Sequence, residues 1–164
     1  MKTVGVLLIF VCCTSGGFIL SLREKDKLNE CEAFLRLFMH IKNRIGFFLA
    51  PTKSIFEEYE DETLEENGFL PILRRERAGA YQSNWDAALD GCRFCGDSET
   101  KNIIREFGEA VGKSNRDMQI VSFDYGIKLL GEKAEQIRAS LPKKTRLYRA
   151  MGFAIGAAAA ILLL

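Results

Sequence analysis

The fold class is decided by the stretch IVSFDYGIKLLGEKAEQIRASL, residues 120–141. Its apolar residues recur at alternating steps of three and four, a spacing that places them on one face of an α-helix. They are Ile120, Phe123, Ile127, Leu130, Ala134, Ile137 and Leu141. A half-buried strand would alternate at every second residue, and nowhere does the chain sustain such a pattern. The stretch therefore predicts a long amphipathic helix, followed by Pro142.

A second stripe of the same period lies near the other end of the chain. It consists of Cys31, Phe34, Phe38, Ile41, Ile45 and Phe48. Pro51 is expected to close this helix. Both stripes fit the a/d spacing of a helix–helix seam, although a single core stripe in a bundle is equally allowed at this length. Because both outer ends join apolar segments, we predict an all-α helical bundle with two long antiparallel helices.

Shorter helices are expected between the two long ones, since capping residues punctuate this part of the chain. Ser83–Asp86 has the pattern of a capping box, with Asp in place of Glu or Gln. Asp97 or Ser98 can cap a following helix, and Gly112 suits the position just after its end. Ser114–Asp117 can cap the last long helix. We find no internal repeat and no low-complexity linker.

The two ends of the chain are apolar, and the middle is not. The stretches 3–22 and 150–164 carry no charged residue, and Lys2 is the only charged residue outside 23–149. A helix of about 20 apolar residues crosses a bilayer. We predict a transmembrane anchor at 1–22, a cytoplasmic all-helical domain at 23–149, and a transmembrane segment at 150–164.

Each end has an alternative interpretation. The first segment could be a cleaved signal peptide, although no A-x-A-like site follows it. The last segment is short for a bilayer span, and it could be a buried helix, but Tyr148 and Arg149 can sit at the membrane interface. Seven basic residues flank the segments on the inner side, against Lys2 alone outside, which predicts a cytoplasmic middle domain. They are Arg23, Lys25, Lys27, Lys143, Lys144, Arg146 and Arg149. The expected object is a helical stalk.

Composition and motifs point away from an enzyme. The formal net charge is only +1, which argues against bulk-charge binding to nucleic acid. Gly108–Ser114 resembles a phosphate-binding loop, but it has too few residues between its glycines and follows a helix, not a strand. Cys92 and Cys95 form a CxxC pair without a second pair of metal ligands, so no metal site or cofactor is predicted. A membrane-tethered thiol oxidoreductase using these two cysteines is the alternative function.

Other features have a structural and a functional interpretation. His40 has no readable catalytic partner and is interpreted as a surface or packing residue. An acidic run at 57–66 and the basic residues Arg74, Arg75 and Arg77 are interpreted as solvated helix faces or as a docking surface. Gly152 and Gly156 have the small-residue spacing that lets membrane helices approach closely. Gly16 and Gly17 could supply the facing surface.

Taken with the order of its parts, the chain resembles the stage III sporulation protein AB family over nearly its whole length. The matching stretches lie mostly in the C-terminal half. They are Trp85–Leu89, Ile104–Gly112, Gln119 and the junction Lys144–Gly156. Val111 replaces a usual Leu, and Asn115 replaces an expected Asp.

The resemblance implies a non-enzymatic scaffold in the secretion-like membrane complex that links mother cell and forespore. It implies a place in the mother-cell membrane around the forespore, with a separate cytoplasmic ATPase and other membrane subunits as partners. It does not imply nucleic acid or a small-molecule substrate. We expect Tyr148, Gly152 and Gly156 to pack on the membrane side. The family's signature residues are expected to hold the helical domain together; they are Trp85, Phe107, Gly108, Gly112 and Gln119.

Overall fold

The structure is a computed structural model that describes residues 2–48, 52–75, 81–111 and 116–163. These residues form seven α-helices and contain no β-strand, so the all-α prediction is confirmed. In chain order the helices are α1 (Lys2–Phe48), α2 (Thr52–Glu57), α3 (Glu62–Glu66), α4 (Phe69–Arg75), α5 (Tyr81–Gly91), α6 (Ser98–Ala110) and α7 (Arg116–Leu163).

The chain divides into two compact units. We call Leu28–Glu135 the core unit. Met1–Lys27 together with Gln136–Leu164 form the terminal unit. Because α1 and α7 each contain residues of both units, each unit contains one stretch of α1 and one stretch of α7.

The core unit is built around aromatic side chains that the helical stripes bring together. Phe38 of α1 stacks on Phe107 of α6, with 3.5 Å between ring centroids and 6° between ring planes. Phe107 also stacks on Phe123 of α7 at 4.8 Å. Trp85 of α5 meets Phe69 of α4 edge to face at 5.0 Å. Five helices therefore share one buried aromatic cluster, whose burial stabilises this unit.

The predicted stripes match the buried faces of α1 and α7 in part. Ile45, Ile120, Ile127, Ile137 and Leu141 are only half-buried, and the side chain of Phe48 lies outside the described residues. Cys31, Phe34, Phe38 and Ile41 are all buried, and so are Phe123, Leu130 and Ala134. The Cys31 thiol donates a hydrogen bond to the carbonyl of Leu130 at 3.6 Å. Further along the two helices, the ammonium group of Lys42 on α1 lies 2.5 Å from the carboxylate of Asp124 on α7. As residue numbers rise along α1 they fall along α7, so the two helices run antiparallel here.

The terminal unit pairs the other stretches of α1 and α7, also antiparallel. Phe10 packs against Phe153 edge to face, with 5.5 Å between ring centroids. Further along α1, Glu24 binds Lys144 at 3.0 Å. Between these two contacts the helix backbones come close together, because Gly17 of α1 lies against Gly152 of α7.

The predicted helix boundaries are partly right. α1 ends at Phe48, while Pro51 lies outside the described residues. Asp97 caps α6 as predicted, since its side chain accepts a hydrogen bond from the Thr100 amide at 2.8 Å. The capping box at Ser83–Asp86 is wrong, because α5 already begins at Tyr81. Gly112 and Ser114, predicted for the turn between α6 and α7, lie outside the described residues.

Pro142 does not end the last helix, which runs from Arg116 to Leu163 without a break. Proline supplies no N–H to position 138, four residues earlier in the helix. Both positions are exposed, so water can replace that hydrogen bond at modest cost. The proline therefore marks a solvent-facing point of α7 and not its end.

The predicted membrane spans are not confirmed. In the described part of the chain, no helix carries an apolar stretch of the length required to cross a bilayer. The predictions for 1–22 and 150–164 thus remain predictions. Of the first segment, the side chains at 1–4, 6, 7 and 9 lie outside the described residues.

Candidate functional site

Two of the family signature residues, Trp85 and Gly108, meet in a tightly packed contact between α5 and α6. Trp85 is fully buried, and its indole nitrogen donates a hydrogen bond to the carbonyl of Ile104 at 3.0 Å. Gly108 lies directly under the indole, because a Cβ at that position would fall 2.1 Å from the Trp85 ring. Glycine is thus required for close approach and not for an unusual backbone angle.

Two further signature residues extend this contact to α7. A Cβ at Gly126 would lie 2.9 Å from the Phe107 ring, so α7 also approaches the cluster through a glycine. Gln119 is buried on the same helix at 7% exposure. Gly112 lies outside the described residues. The indole N–H is bound to a backbone carbonyl and the Trp85 ring is fully buried, so Trp85 serves packing here.

The CxxC pair lies in the loop between α5 and α6, and a buried carboxylate holds that loop. Glu30 of α1 accepts hydrogen bonds from the Cys95 amide at 2.8 Å and the Gly96 amide at 3.1 Å. Its other oxygen accepts from the Asn67 side chain at 2.9 Å. Glu30 is 3% exposed, so these donors offset the cost of burying its charge. No local sequence signal distinguishes it from the other acidic residues of α1.

The geometry gives the cysteines no sign of activation. Cys92 and Cys95 are both free thiols. The Cys92 thiol donates to the carbonyl of Leu89 at 3.4 Å. Burial and then the negative charge of Glu30 raise the pKa of Cys92 to about 11, although Lys101 opposes the shift. A redox-active cysteine needs the opposite shift, toward the thiolate. Among the described residues no group of three or more potential ligands could hold a metal ion.

The predicted packing glycines lie at the α1–α7 contact of the terminal unit. A Cβ at Gly17 would lie 2.6 Å from the carbonyl oxygen of Tyr148 and 3.0 Å from the Cα of Gly152. At Gly156 a Cβ would meet the Phe10 ring at 3.1 Å. Gly16, by contrast, has nothing within 4 Å of its Cβ position. Gly17, Gly152 and Gly156 are thus the residues that let the two backbones touch, as small residues do in closely packed helix pairs.

Polar contacts flank this glycine contact on one side. Glu24 bonds Lys27 at 2.6 Å and Lys144 at 3.0 Å. Burial alone would raise the pKa of Glu24, but the two lysines outweigh it and lower the pKa. Arg149 lies 5.1 Å from the Phe18 ring centroid, in cation–π geometry. These contacts involve Lys27, Lys144 and Arg149, which are among the basic residues that flank the two apolar segments of the chain.

The acidic run is partly neutralised within the chain. Asp61 accepts from Arg36 at 2.7 Å and caps α3. Glu65 lies 2.6 Å from Arg74. That arginine also donates to the carbonyls of Phe56, at 3.0 Å, and Tyr59. In the described residues the run thus serves to tie α1, α3 and α4 together at several points, and Arg77 lies outside them.

His40 is a packing residue. Its ring lies 4.8 Å from that of Tyr59, and its Nε2 is buried with no hydrogen-bond partner in the described part of the chain. Burial, with a smaller contribution from the charge of Arg44, lowers its pKa. The neutral ring is therefore favoured, although the charge of Glu58 opposes the shift.

Comparison with known proteins gives one match. The family model described as stage III sporulation protein AB matches residues 2–164. No curated protein and no solved structure matches the chain. The match spans both the aromatic cluster of the core unit and the glycine contact of the terminal unit.

Proposed function

This chain belongs to the stage III sporulation protein AB family, and on that premise we propose that it is a non-enzymatic scaffold in the secretion-like complex that links mother cell and forespore. The terminal unit attaches it to the mother-cell membrane around the forespore, where it packs against other membrane subunits. The core unit faces the cytoplasm and docks the ATPase of the same complex.

The observation that carries the proposal is the exposed apolar surface of the terminal unit. After α1 and α7 have paired through their glycines, large apolar side chains remain exposed along both. They include Leu8, Val11, Phe18, Ile19, Leu20, Leu22, Leu147, Met151, Phe153, Ile155, Ile161 and Leu162. Large apolar side chains exposed in this number on one pair of helices mark a membrane or protein contact, since their hydration is unfavourable. The basic residues at 143, 144, 146 and 149 favour the cytoplasmic side for the adjoining chain.

The chemistry of the core unit agrees with a scaffold role. Its aromatic side chains pack against one another, its buried carboxylate Glu30 is bound to backbone amides, and its half-buried Cys92 thiol has a raised pKa. Turnover therefore belongs to a partner, and an ATPase supplies the energy that this chain does not. Expression during sporulation, not vegetative growth, distinguishes this role from that of a general membrane adaptor.

The test of membrane-side packing is the variant Gly156→Leu, expressed during sporulation in place of the natural chain. We expect it to stay in the membrane fraction and to lower the number of heat-resistant spores about tenfold, because its side chain collides with Phe10. Gly16→Leu is the matched control, since its Cβ position is open. Unchanged spore counts for Gly156→Leu would overturn the packing role.

Two further experiments test on which side of the membrane the core unit lies and whether the alternative function holds. A membrane-impermeant thiol reagent should label Cys95 only after lysis, in a chain whose Cys12, Cys13 and Cys31 are Ser. Labelling of intact cells would place the core unit outside the cytoplasm and overturn the proposed topology. Normal spore counts for Cys92→Ser remove the thiol oxidoreductase, whereas loss of spores would favour it over the scaffold.

A further inference from the structure

A groove runs along the surface of the core unit between α6 and α7. It has a volume of 240 Å³. Its lining residues are Ile103, Glu106, Phe107, Glu109, Ala110, Ser122, Tyr125, Gly126 and Leu129. Such a volume is below the range of about 300–1,000 Å³ typical of small-molecule sites. The groove therefore suits side chains of another protein better than a separate ligand.

The floor of the groove is apolar. It consists of the Phe107 ring, which Gly126 approaches closely, and of Ala110. The hydroxyl of Ser122 donates to the carbonyl of Met118 in its own helix at 2.9 Å, so it needs no partner from outside. On the α7 wall Tyr125 is 61% exposed. Val121, one turn earlier on the same helix and outside the groove lining, is 69% exposed. An apolar side chain entering the groove would cover surface that now faces water.

The α6 wall is negatively charged. Glu106 and Glu109 lie one helical turn apart and are both exposed. Neither has an ion-pair partner among the described residues, and no basic residue lines the groove. In the acidic run, Asp61 and Glu65 are already bound to Arg36 and Arg74. The surface depression there is lined by acidic residues and has no apolar floor in the described part of the chain. Glu106 and Glu109 are therefore the acids better placed to meet positive charge from outside.

We infer that this groove docks a helix of the partner ATPase, with an apolar side chain on the groove floor and Lys or Arg residues facing Glu106 and Glu109. The inference rests on the proposed function, which it deepens by naming the docking face. A helix is the occupant that fits a groove between two helices, because its i, i+3 and i+4 side chains match the spacing of the two glutamates. Complementary charge sets the register and raises the association rate.

The experiment measures binding of the purified ATPase to the full chain in lipid nanodiscs, by biolayer interferometry. The double reversal Glu106→Lys with Glu109→Lys should raise Kd by about a hundredfold. Tyr125→Ala should raise it by about tenfold, since exposed tyrosine often anchors an interface. The matched control reverses Glu132 and Glu135, which are also exposed glutamates one turn apart, and should change Kd less than about twofold.

Two further measurements distinguish a loss of binding from a loss of folding. Glu106→Gln with Glu109→Gln removes the charge conservatively and should weaken binding by about tenfold while thermal unfolding stays unchanged. A photo-crosslinking residue at position 125 should couple to the ATPase, and one at position 132 should not.

The outcomes separate this inference from the proposed function. Binding by the natural chain that the groove variants leave intact, with crosslinking only elsewhere, overturns the groove and leaves the scaffold role standing. Absence of binding by the natural chain overturns both. Crosslinking of position 125 to a second copy of this chain, and not to the ATPase, also overturns the groove as an ATPase site.

Discussion

The core unit and the terminal unit pair the same two helices by different means. In the core unit, Phe38, Phe107 and Phe123 fill the space between helices, and Trp85 donates its N–H to a buried carbonyl. In the terminal unit the backbones themselves meet at Gly17 and Gly152. The core unit buries most of its large apolar side chains, whereas the terminal unit leaves many exposed.

The proposed membrane location of the terminal unit accounts for this difference. In water, burying aromatic surface stabilises helix contacts by about 25 cal/mol per Å². Where the surroundings are as apolar as the side chains, that contribution vanishes and close backbone packing takes its place. Glycine occurs in both units, but for different neighbours: Gly108 faces an indole ring and Gly17 faces another backbone.

The largest expected effect tests the aromatic packing. Gly108→Ala places a Cβ 2.1 Å from the fully buried Trp85 ring, which has no room to move. We expect a loss of about 3 kcal/mol in the free energy of unfolding of the core unit, measured in urea. Gly131→Ala is the control, since its Cβ position is open, and it should stabilise helix α7 by about 0.5–1 kcal/mol. Equal effects would mean that the indole contact is not tight.

The next prediction tests backbone contact in the terminal unit. Gly17→Leu should force α1 and α7 apart there at a cost of about 2 kcal/mol, because the atoms it meets are backbone. The measurement uses Gly156→Cys, whose Cβ would lie 3.4 Å from that of Cys13 and so within reach of a disulfide. Oxidative crosslinking of this pair should fall with Gly17→Leu and persist with Gly16→Leu. Undiminished crosslinking with Gly17→Leu contradicts the close approach.

A third prediction concerns polar burial, which the core unit has at Glu30. Glu30→Gln removes the negative charge and replaces one of the two acceptor oxygens by an NH₂ group, so the Cys95 and Gly96 amides keep at best a weaker, neutral acceptor and the Asn67 side chain meets a donor. We expect a loss of about 1.5 kcal/mol and faster hydrogen exchange at those two amides. Exposed Glu132→Gln should stay within about 0.5 kcal/mol of the natural chain. If exchange at the two amides does not change, Glu30 does not hold the loop.

The smallest expected effect is a pH dependence of the core unit. Burial alone would raise the pKa of Asp97, but hydrogen bonds from Thr100 and Lys133 lower it from 3.8 to about 2. Its contribution is therefore fully present above pH 3.8 and is lost as pH falls toward 2. Because the side chain is 55% exposed, we expect only about 1 kcal/mol after screening. Urea unfolding of the natural chain and Asp97→Asn should converge by that amount between pH 4.5 and 2.5; a constant gap would contradict it.

Rules that depend on neighbouring residues predict the helices of this chain better than they predict its tertiary contacts. The three-and-four spacing located the buried faces of α1 and α7, and Asp97 was recognisable as a cap because capping depends on a few adjacent residues. The predicted capping box at Ser83–Asp86 is wrong, because these residues lie inside α5, which begins at Tyr81. The prediction that the last helix ends before Pro142 is wrong. Water can replace the hydrogen bond that this exposed proline cannot make, so α7 continues through it.

The candidate docking groove shows where sequence analysis stops. The acidic run was the visible charge cluster, yet its distant partners Arg36 and Arg74 became apparent only in three dimensions. Glu106 and Glu109 are unremarkable in the sequence. They form one wall of a groove because α6 and α7 pack through Phe107 and Gly126.

The sequence by itself determined the helical class, the two long apolar stripes, the apolar ends and the family, since each is written in residue type and spacing along one segment. Only the tertiary structure decided that Glu30 binds the loop of Cys95, that Gly108 lies under Trp85, and that Gly17 meets Gly152. Those contacts join residues far apart in the chain, and their geometry depends on how whole helices pack.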